Sequence, residues 1–177
     1  MRIISGKYGG RTIPSVNLQV RPTTDFAKEG LFNVLNNIIS FDNLSCLDLF
    51  AGTGNIGYEL VSRGASELTF VEMNEQNILF IKKNMQKLEI KYAKIIRNDV
   101  FRFLGFCKEK YDFIFADPPF EMERIELIPK IIFEKNLLNK NGVFVLEHSA
   151  KHSFTHRENF ADCRKYGKVH FSIFRLL

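Results

Sequence analysis

Asp117-Pro118-Pro119-Phe120 places a carboxylate ahead of two prolines and an aromatic ring. Proline fixes φ and has no N–H to donate, so such a loop presents carbonyl oxygens in a rigid frame. With the Asp117 carboxylate, the loop offers converging acceptors that suit an amino group. Phe120 offers a face on which a planar base can stack. An exocyclic amine on a base is a poor nucleophile, because its lone pair is delocalised into the ring. Two acceptors gripping its hydrogens hold the nitrogen, favour pyramidalisation and aim the lone pair at an electrophile.

A second constellation lies upstream. Residues 48–57 read DLFAGTGNIG and contain a literal G-x-G-x-x-G. Gly52 and Gly54 permit a tight turn and a close backbone approach to a ligand. Glu72 stands about 20 residues beyond Gly52, where this fingerprint wants an acid for a ribose diol. A charged acceptor makes those hydrogen bonds the stronger kind. Two adenosine-bearing ligands meet this description, a nicotinamide dinucleotide and S-adenosylmethionine (SAM). The DPPF loop favours SAM: a hydride transfer has no use for it there, whereas the methyl of a sulfonium is the electrophile an oriented amine needs. Asp99 can accept from an adenine amino group, and equally can cap a helix.

These residues are useful only if the chain brings them together. Short apolar runs read as buried strands at 45–50, 67–72, 93–97, 111–116 and 142–147, with helical stretches near 55–63, 74–88, 99–108 and 121–135. Such alternation predicts an α/β fold with a parallel sheet and helices on both faces. Ligands then bind beyond the carboxyl ends of the strands. Asp48 to Gly57 follow the first strand, Glu72 ends the second, Asn98 and Asp99 follow the third, and DPPF follows the fourth. Residues 162–167 and 169–176 predict a closing hairpin around Tyr166-Gly167-Lys168, which makes the sheet mixed. Ahead of the sheet, residues 1–20 read as a hairpin and Thr24 as the N-cap of a helix running to about Ser40.

The 177 residues fit one domain, 1–177, with ordinary globular composition: 45% hydrophobic and 25% charged. No apolar run reaches the length of a membrane span, and the first residues lack the apolar stretch of a signal peptide, so a cytoplasmic protein without membrane attachment is expected. Cys46, Cys107 and Cys163 make neither a zinc pattern nor a disulfide framework. His148, His152 and His156 are spaced four apart, but in a stretch that reads as a solvated loop, so no metal is expected. The net charge is +5. Arg2, Lys7, Arg11 and Arg21 precede every acidic residue, so the first segment forms a basic arm suited to a polyanion.

[DN]-P-P-[FYW] marks the SAM-dependent amino methyltransferases. Within them the chain resembles the small bacterial enzymes that methylate N2 of a guanine in small-subunit (16S) ribosomal RNA, the RsmD type. The likeness covers nearly the whole chain: RIISGKYGGR, VRPTTD at 20–25, EGLFNVL at 29–35, LDLFAGTGNIG, FVE at 70–72, Asn84, DPPF, Glu147 and RKYGKVHFSIFR. The VRPTTD segment joined to the basic hairpin is the specific part. The resemblance implies a class I (Rossmann-like) methyltransferase fold with a mixed seven-stranded sheet and an antiparallel C-terminal hairpin. It places Asp48, Phe50, Gly52 and Gly54 against the methionine part of SAM, Glu72 and Met73 on the ribose side, and Asp99 with the Val100 backbone on the adenine. Asp117, Pro118, Pro119 and Phe120 would take the guanine, with Asp117 also beside the cofactor. Arg21, Thr23 and Thr24 would lie near the cofactor or target entrance. Residues 1–23 would contact RNA through Arg2, Lys7, Arg11 and Arg21. The chain departs from the family at 26–30, where relatives tend to carry arginines; Lys28 stands in for one of them as an RNA contact.

The implied reaction is methyl transfer from SAM to guanine N2 in 16S rRNA, by a monomer acting on the small ribosomal subunit or an assembly intermediate. Other readings are transfer to adenine, cytosine or a glutamine amide, a non-catalytic assembly factor, and a dinucleotide oxidoreductase. About 45 residues before the first sheet strand speak against the last.

Overall fold

The computed structural model describes residues 1–14 and 24–176. Arg21 and Thr23, expected near the cofactor or target entrance, lie outside the described residues. The elements are α1 (Asp25–Leu35), β1 (Ser45–Leu49), α2 (Asn55–Ser62), β2 (Glu67–Glu72), α3 (Glu75–Lys87), β3 (Ala93–Arg97), α4 (Val100–Phe106), β4 (Tyr111–Ala116), α5 (Leu127–Glu134), β5 (Leu138–His148), β6 (Phe160–Tyr166) and β7 (Val169–Arg175). The strands form one seven-stranded sheet in the order β3-β2-β1-β4-β5-β7-β6. All neighbours are parallel except β7, which runs antiparallel to both β5 and β6.

Side-chain alternation along the strands divides the core between the two faces. Cys46, Phe113, Phe115, Val143, Val145 and Phe171 belong to one cluster, closed by residues of α1, α2 and α3. Leu47, Leu49, Ile114, Ala116, Phe144, Leu146 and Phe174 belong to the other, closed by α4 and α5. The same alternation turns Asp48, Asp117 and Glu147 toward the first face. Register aligns Leu49 with Val71 and Ala116, and Ala116 with Leu146, so the carboxyl ends of β2, β1, β4 and β5 are flush.

Three boundaries differ from expectation. Helix α1 stops at Leu35 rather than near Ser40. The Asn36-Asn37 pair competes for the backbone there, with the Asn37 amide donating to the Asn33 carbonyl at 3.0 Å. Helix α5 starts only at Leu127, because residues 117–126 are used as a loop, pinned by Met122 N–H donating to the Pro119 carbonyl at 2.9 Å. Strand β5 begins at Leu138, earlier than the apolar run, with a register shift opposite Tyr111 and Phe113.

Residues 1–13 fold back on themselves through an Arg2–Thr12 bridge, and bury Ile3, Tyr8 and Ile13 against the first face. The hairpin is therefore packed on the domain at its apolar residues while Arg2, Lys7 and Arg11 stay exposed. Both Lys7 and Arg11 lie over the Tyr8 ring, at 5.2 and 5.3 Å from its centre. This keeps the two cations together. Among the described residues, no helix is long and apolar enough to cross a membrane.

Candidate active site

The loop after β1 begins with backbone strain. Phe50 has φ of 60°, a left-handed conformation that costs a bulky residue about 1–2 kcal/mol. Its ring packs partly buried against the second-face cluster, and the chain turns out of the sheet behind it. Gly54 follows with φ of 80°, and a Cβ there would sit 2.9 Å from the Tyr58 ring. Gly54 precedes α2 and has no side chain with which to cap it. Asp48 supplies the missing acceptor from within β1: its Oδ2 takes the Gly57 N–H at 3.1 Å, in the first turn of α2.

Asp48 is 2% exposed. Burial pushes its carboxyl up to about 8, with the nearby Glu72 adding to the rise and the Gly57 bond opposing it. The folded protein thus holds a proton that the unfolded chain releases near its ordinary pKa of about 3.9. Between those values the folded state binds more protons, so stability falls as pH rises through that window. Asp48→Asn keeps an acceptor for Gly57 and removes the titration. The variant is expected to match the parent near pH 4 and to exceed it by up to about 5 kcal/mol near pH 8. Urea titrations at both pH values check this, and a variant weaker than the parent at pH 8 refutes it.

Glu72 closes the loop. Its Oε2 accepts the Gly52 N–H at 2.6 Å, while Oε1 accepts Met73 N–H at 2.9 Å and Asn74 N–H at 2.7 Å. A carboxylate has about four acceptor sites, so one remains for a ligand hydroxyl. Asn74 in turn caps α3, and Met73 stands exposed beside Glu72. At the next strand end, Asp99 caps α4 through Oδ1, which accepts Arg102 N–H at 3.0 Å. Its other oxygen has no partner among the described residues. The helix-cap role is therefore real, and it leaves an acceptor beside the buried Val100.

Asp117 emerges from β4 next to β1, its N–H reaching the Leu49 carbonyl at 3.4 Å. Pro118 is buried, and Pro119 and Phe120 are exposed, Phe120 by 41%. The Met122 bond occupies the Pro119 carbonyl, while the Pro118 carbonyl has no partner among the described residues. The acceptor pair left in the loop is thus the Asp117 carboxylate and the Pro118 carbonyl.

A further acid, given no role by residue types alone, belongs to this group. Glu147 is the residue beyond Leu146 on β5, so register puts it beside Asp117, and it is 3% exposed. Burial first, then the charges of Glu147 and Asp48, hold the Asp117 carboxyl well above the usual carboxylate range. The signal for Glu147 was present in the sequence: an acid closing the apolar run GVFVLE at the same sheet end as the other sites. Asp48 and Asp117, both with raised proton affinity, and the buried Glu147 beside them form a place where a ligand's positive charge is favourable, because it offsets the mutual repulsion of the carboxyls.

The family model described as "Conserved hypothetical protein 95" matches residues 1–175. The chain belongs to this family. It is 34% identical to the ribosomal RNA small subunit methyltransferase D of Buchnera aphidicola subsp. Baizongia pistaciae, over 98% of this chain and 91% of that protein. It is 39% identical to the putative rRNA methyltransferase YlbH of Bacillus subtilis, over 84% of this chain and 82% of that protein. Among solved structures, the putative methyltransferase yhhF from Escherichia coli superposes with a TM-score of 0.88 at 28% identity, covering 99% of this chain and 97% of that one. The sheet order and antiparallel last hairpin are those of the class I methyltransferase fold.

Two expectations are corrected. Lys28, expected to reach RNA in place of an arginine, has 0% exposure. Its Nζ donates to the Arg2 carbonyl at 2.6 Å and to Asn55 Oδ1 at 2.8 Å, and lies 3.7 Å from Glu59 Oε2. It faces inward because its position on α1 falls on the stripe of Ala27, Leu31 and Phe32, so it joins the hairpin to α2 and does not meet solvent. His148 is likewise not in a solvated loop. It ends β5 and is buried, with Nε2 2.8 Å from Ser172 Oγ and Nδ1 2.9 Å from the Ser149 carbonyl. The carbonyl partner assigns the proton to Nδ1, so Nε2 accepts from the serine hydroxyl. Among the described residues, no group of histidines, cysteines and acids has the arrangement of a metal site.

Proposed function

We propose that the protein transfers a methyl group from SAM to the exocyclic N2 amine of a guanine in 16S rRNA. The observation that carries the reading is the pair of acceptors at the end of β4, flush with the glycine loop of β1 and Glu72 of β2. The relatives' names, ribosomal RNA small subunit methyltransferase D and putative rRNA methyltransferase, support the same reaction class and RNA target.

The residues suit the ligand. SAM supplies an electrophilic methyl on a positively charged sulfur. The buried carboxyls of Asp48 and Glu147 favour a cation, the open acceptor site of Glu72 suits a ribose hydroxyl, and Asp99 offers an acceptor for the adenine amine. Asp117 and the Pro118 carbonyl grip the two hydrogens of guanine N2 and set the nitrogen lone pair toward the methyl. Phe120 holds the base plane. As the carbon–nitrogen bond forms, the carbon–sulfur bond breaks with its electrons on sulfur. The nitrogen then becomes acidic, and its proton leaves to the Asp117–Glu147 pair and on to water. Orientation and a preorganised polar site provide most of the rate.

Exposed Arg2, Lys7 and Arg11 supply phosphate contacts, so RNA binding weakens as salt rises. The target base is presented unstacked, which costs least in a loop. A monomer acting on the small subunit or an assembly intermediate is the form proposed.

Labelled SAM offered to the protein with unmodified small subunits, naked 16S rRNA and DNA, followed by nucleoside mass spectrometry, tests this. N2-methylguanosine in the rRNA is expected. Label on adenosine, cytidine or protein overturns the target, and no label anywhere overturns the reaction. Glu72→Ala is expected to raise the SAM dissociation constant at least about tenfold, since it removes a charged acceptor and three anchors of the loop. Calorimetry showing unchanged affinity would remove Glu72 from the cofactor site.

A further inference from the structure

Among the described residues Phe26 is the most exposed of the large hydrophobic side chains, at 73%, although it sits in the first turn of a well-packed helix. Residues Ala27, Leu31 and Phe32 of that helix are buried, so Phe26 adds nothing to the core. Its ring is nonetheless held. Tyr166 meets it edge-on, with centres 5.9 Å apart and planes at 84°. Tyr166 in turn lies 6.0 Å from the ring of Phe171, which is fully buried. Gly30 makes this possible: a Cβ there would sit 2.3 Å from Tyr166 Cε1. A residue without a side chain on α1 thus lets a tyrosine lie against the helix and brace Phe26 from one side.

The position of the pair is set by register. Glu147 aligns with Phe171 and His148 with His170, so the β6–β7 turn stands at the same carboxyl end of the sheet as Glu147 and Asp117. On the other side, Asp25 accepts the Arg2 N–H at 3.3 Å, which ties the start of α1 to the basic hairpin. Phe26 therefore lies at the same end of the sheet as the loop proposed to hold the target amine, between the β6–β7 turn with its exposed Lys165 and Lys168 and the hairpin with its exposed Arg2. Asp162 and Arg164 nearby neutralise each other at 2.6 Å.

We propose that Phe26, braced by Tyr166, is a stacking platform for an unpaired base of the RNA beside the target nucleotide; this rests on the rRNA reading above. An exposed ring that is, among the described residues, flanked by cations rather than by other exposed apolar side chains suits a polyanion carrying planar bases, since every base has a face to stack and the phosphates meet the lysines. A protein partner would want a contiguous apolar patch rather than one ring.

The test compares a fluorescein-labelled oligoadenylate decamer with a decamer of the same backbone lacking all bases, by anisotropy, for the parent, Phe26→Ala and Phe26→Trp. The parent is expected to prefer the decamer with bases. In Phe26→Ala that preference is expected to shrink about tenfold, the size of one lost base–aromatic stack, while affinity for the baseless strand and for SAM stays unchanged. Phe26→Trp is expected to restore it. A preference unchanged in Phe26→Ala overturns the proposal, as does an equal loss for both strands, which would mark a change in fold or charge. Absence of N2-methylguanosine with the Phe26-dependent preference intact would sink the methyl-transfer reading and leave the platform standing.

Discussion

Asp117→Ala is expected to lower kcat at least about a hundredfold while the SAM dissociation constant stays within about threefold of the parent's. The size follows from what is lost. One of two acceptors on the amine disappears, from a buried site where a single preorganised hydrogen bond is worth about a hundredfold or more in rate. Cofactor affinity is expected to survive, because Glu72, Asp99 and the Asp48-capped loop are independent of this side chain. Single-turnover transfer to 16S rRNA and calorimetry with SAM read the two quantities separately. A variant retaining more than about a tenth of the parental turnover would remove Asp117 from the chemistry.

The acidity of Asp117 adds a signature that a merely structural residue would not give. Its pKa is raised by burial and by the charges of Glu147 and Asp48, so the carboxyl is protonated at a pH where ordinary carboxylates are ionised. The ionised form accepts more strongly from the amine and can take up the proton it releases. The rate should therefore rise with pH through an inflection above the usual carboxylate range. Asp117→Asn keeps an acceptor oxygen and cannot titrate, so it should retain part of the rate with a flat profile. Glu147→Gln should move the inflection to lower pH, because the neighbouring charge that raises it is gone.

Glu59→Ala is expected to cost about 3–5 kcal/mol of stability, the range for a buried ion pair broken from one side. Glu59 is fully buried. It accepts Ile4 N–H at 2.7 Å, Ser5 N–H at 3.1 Å and Arg63 Nε at 2.7 Å. Without it, two backbone donors of the basic hairpin lose their partner and the Lys28 ammonium loses its counter-charge. Burial already depresses the Lys28 pKa, with Glu59 the main influence opposing the drop. Adding Lys28→Met to Glu59→Ala should therefore recover stability, since it removes the orphaned charge. Urea denaturation of the three variants checks this. A loss under about 1 kcal/mol for Glu59→Ala, or no recovery in the double variant, would mean the hairpin is held by its apolar residues alone.

Much of the scaffold was legible because its signals are local. The apolar runs that became β1 to β4 needed no partner to be recognised, and Asn74 and Asp99 cap α3 and α4 through bonds to amides two and three residues on. The boundaries that slipped were those decided from a distance. Helix α5 starts late because the DPPF loop extends through residue 126, which no propensity at 121–126 reveals.

Residue types and spacing thus determined the α/β alternation, the glycine loop, Glu72, Asp99 and DPPF, because each depends on backbone geometry and chemistry within a few residues. Tertiary structure alone decided which way the charged side chains point. Lys28 reads as a surface cation yet is drawn inward by Glu59 and Asn55 from another helix. Glu147 reads as a strand end yet shares a buried site with Asp117 through a register set between β4 and β5. Asp48 follows from its type only as an acid near the glycine loop, and the packing of α2 over β1 makes it a buried cap of that helix. In each case the deciding energy is the desolvation of a charge, which depends on what the rest of the chain packs around it and is invisible at the residue's own position.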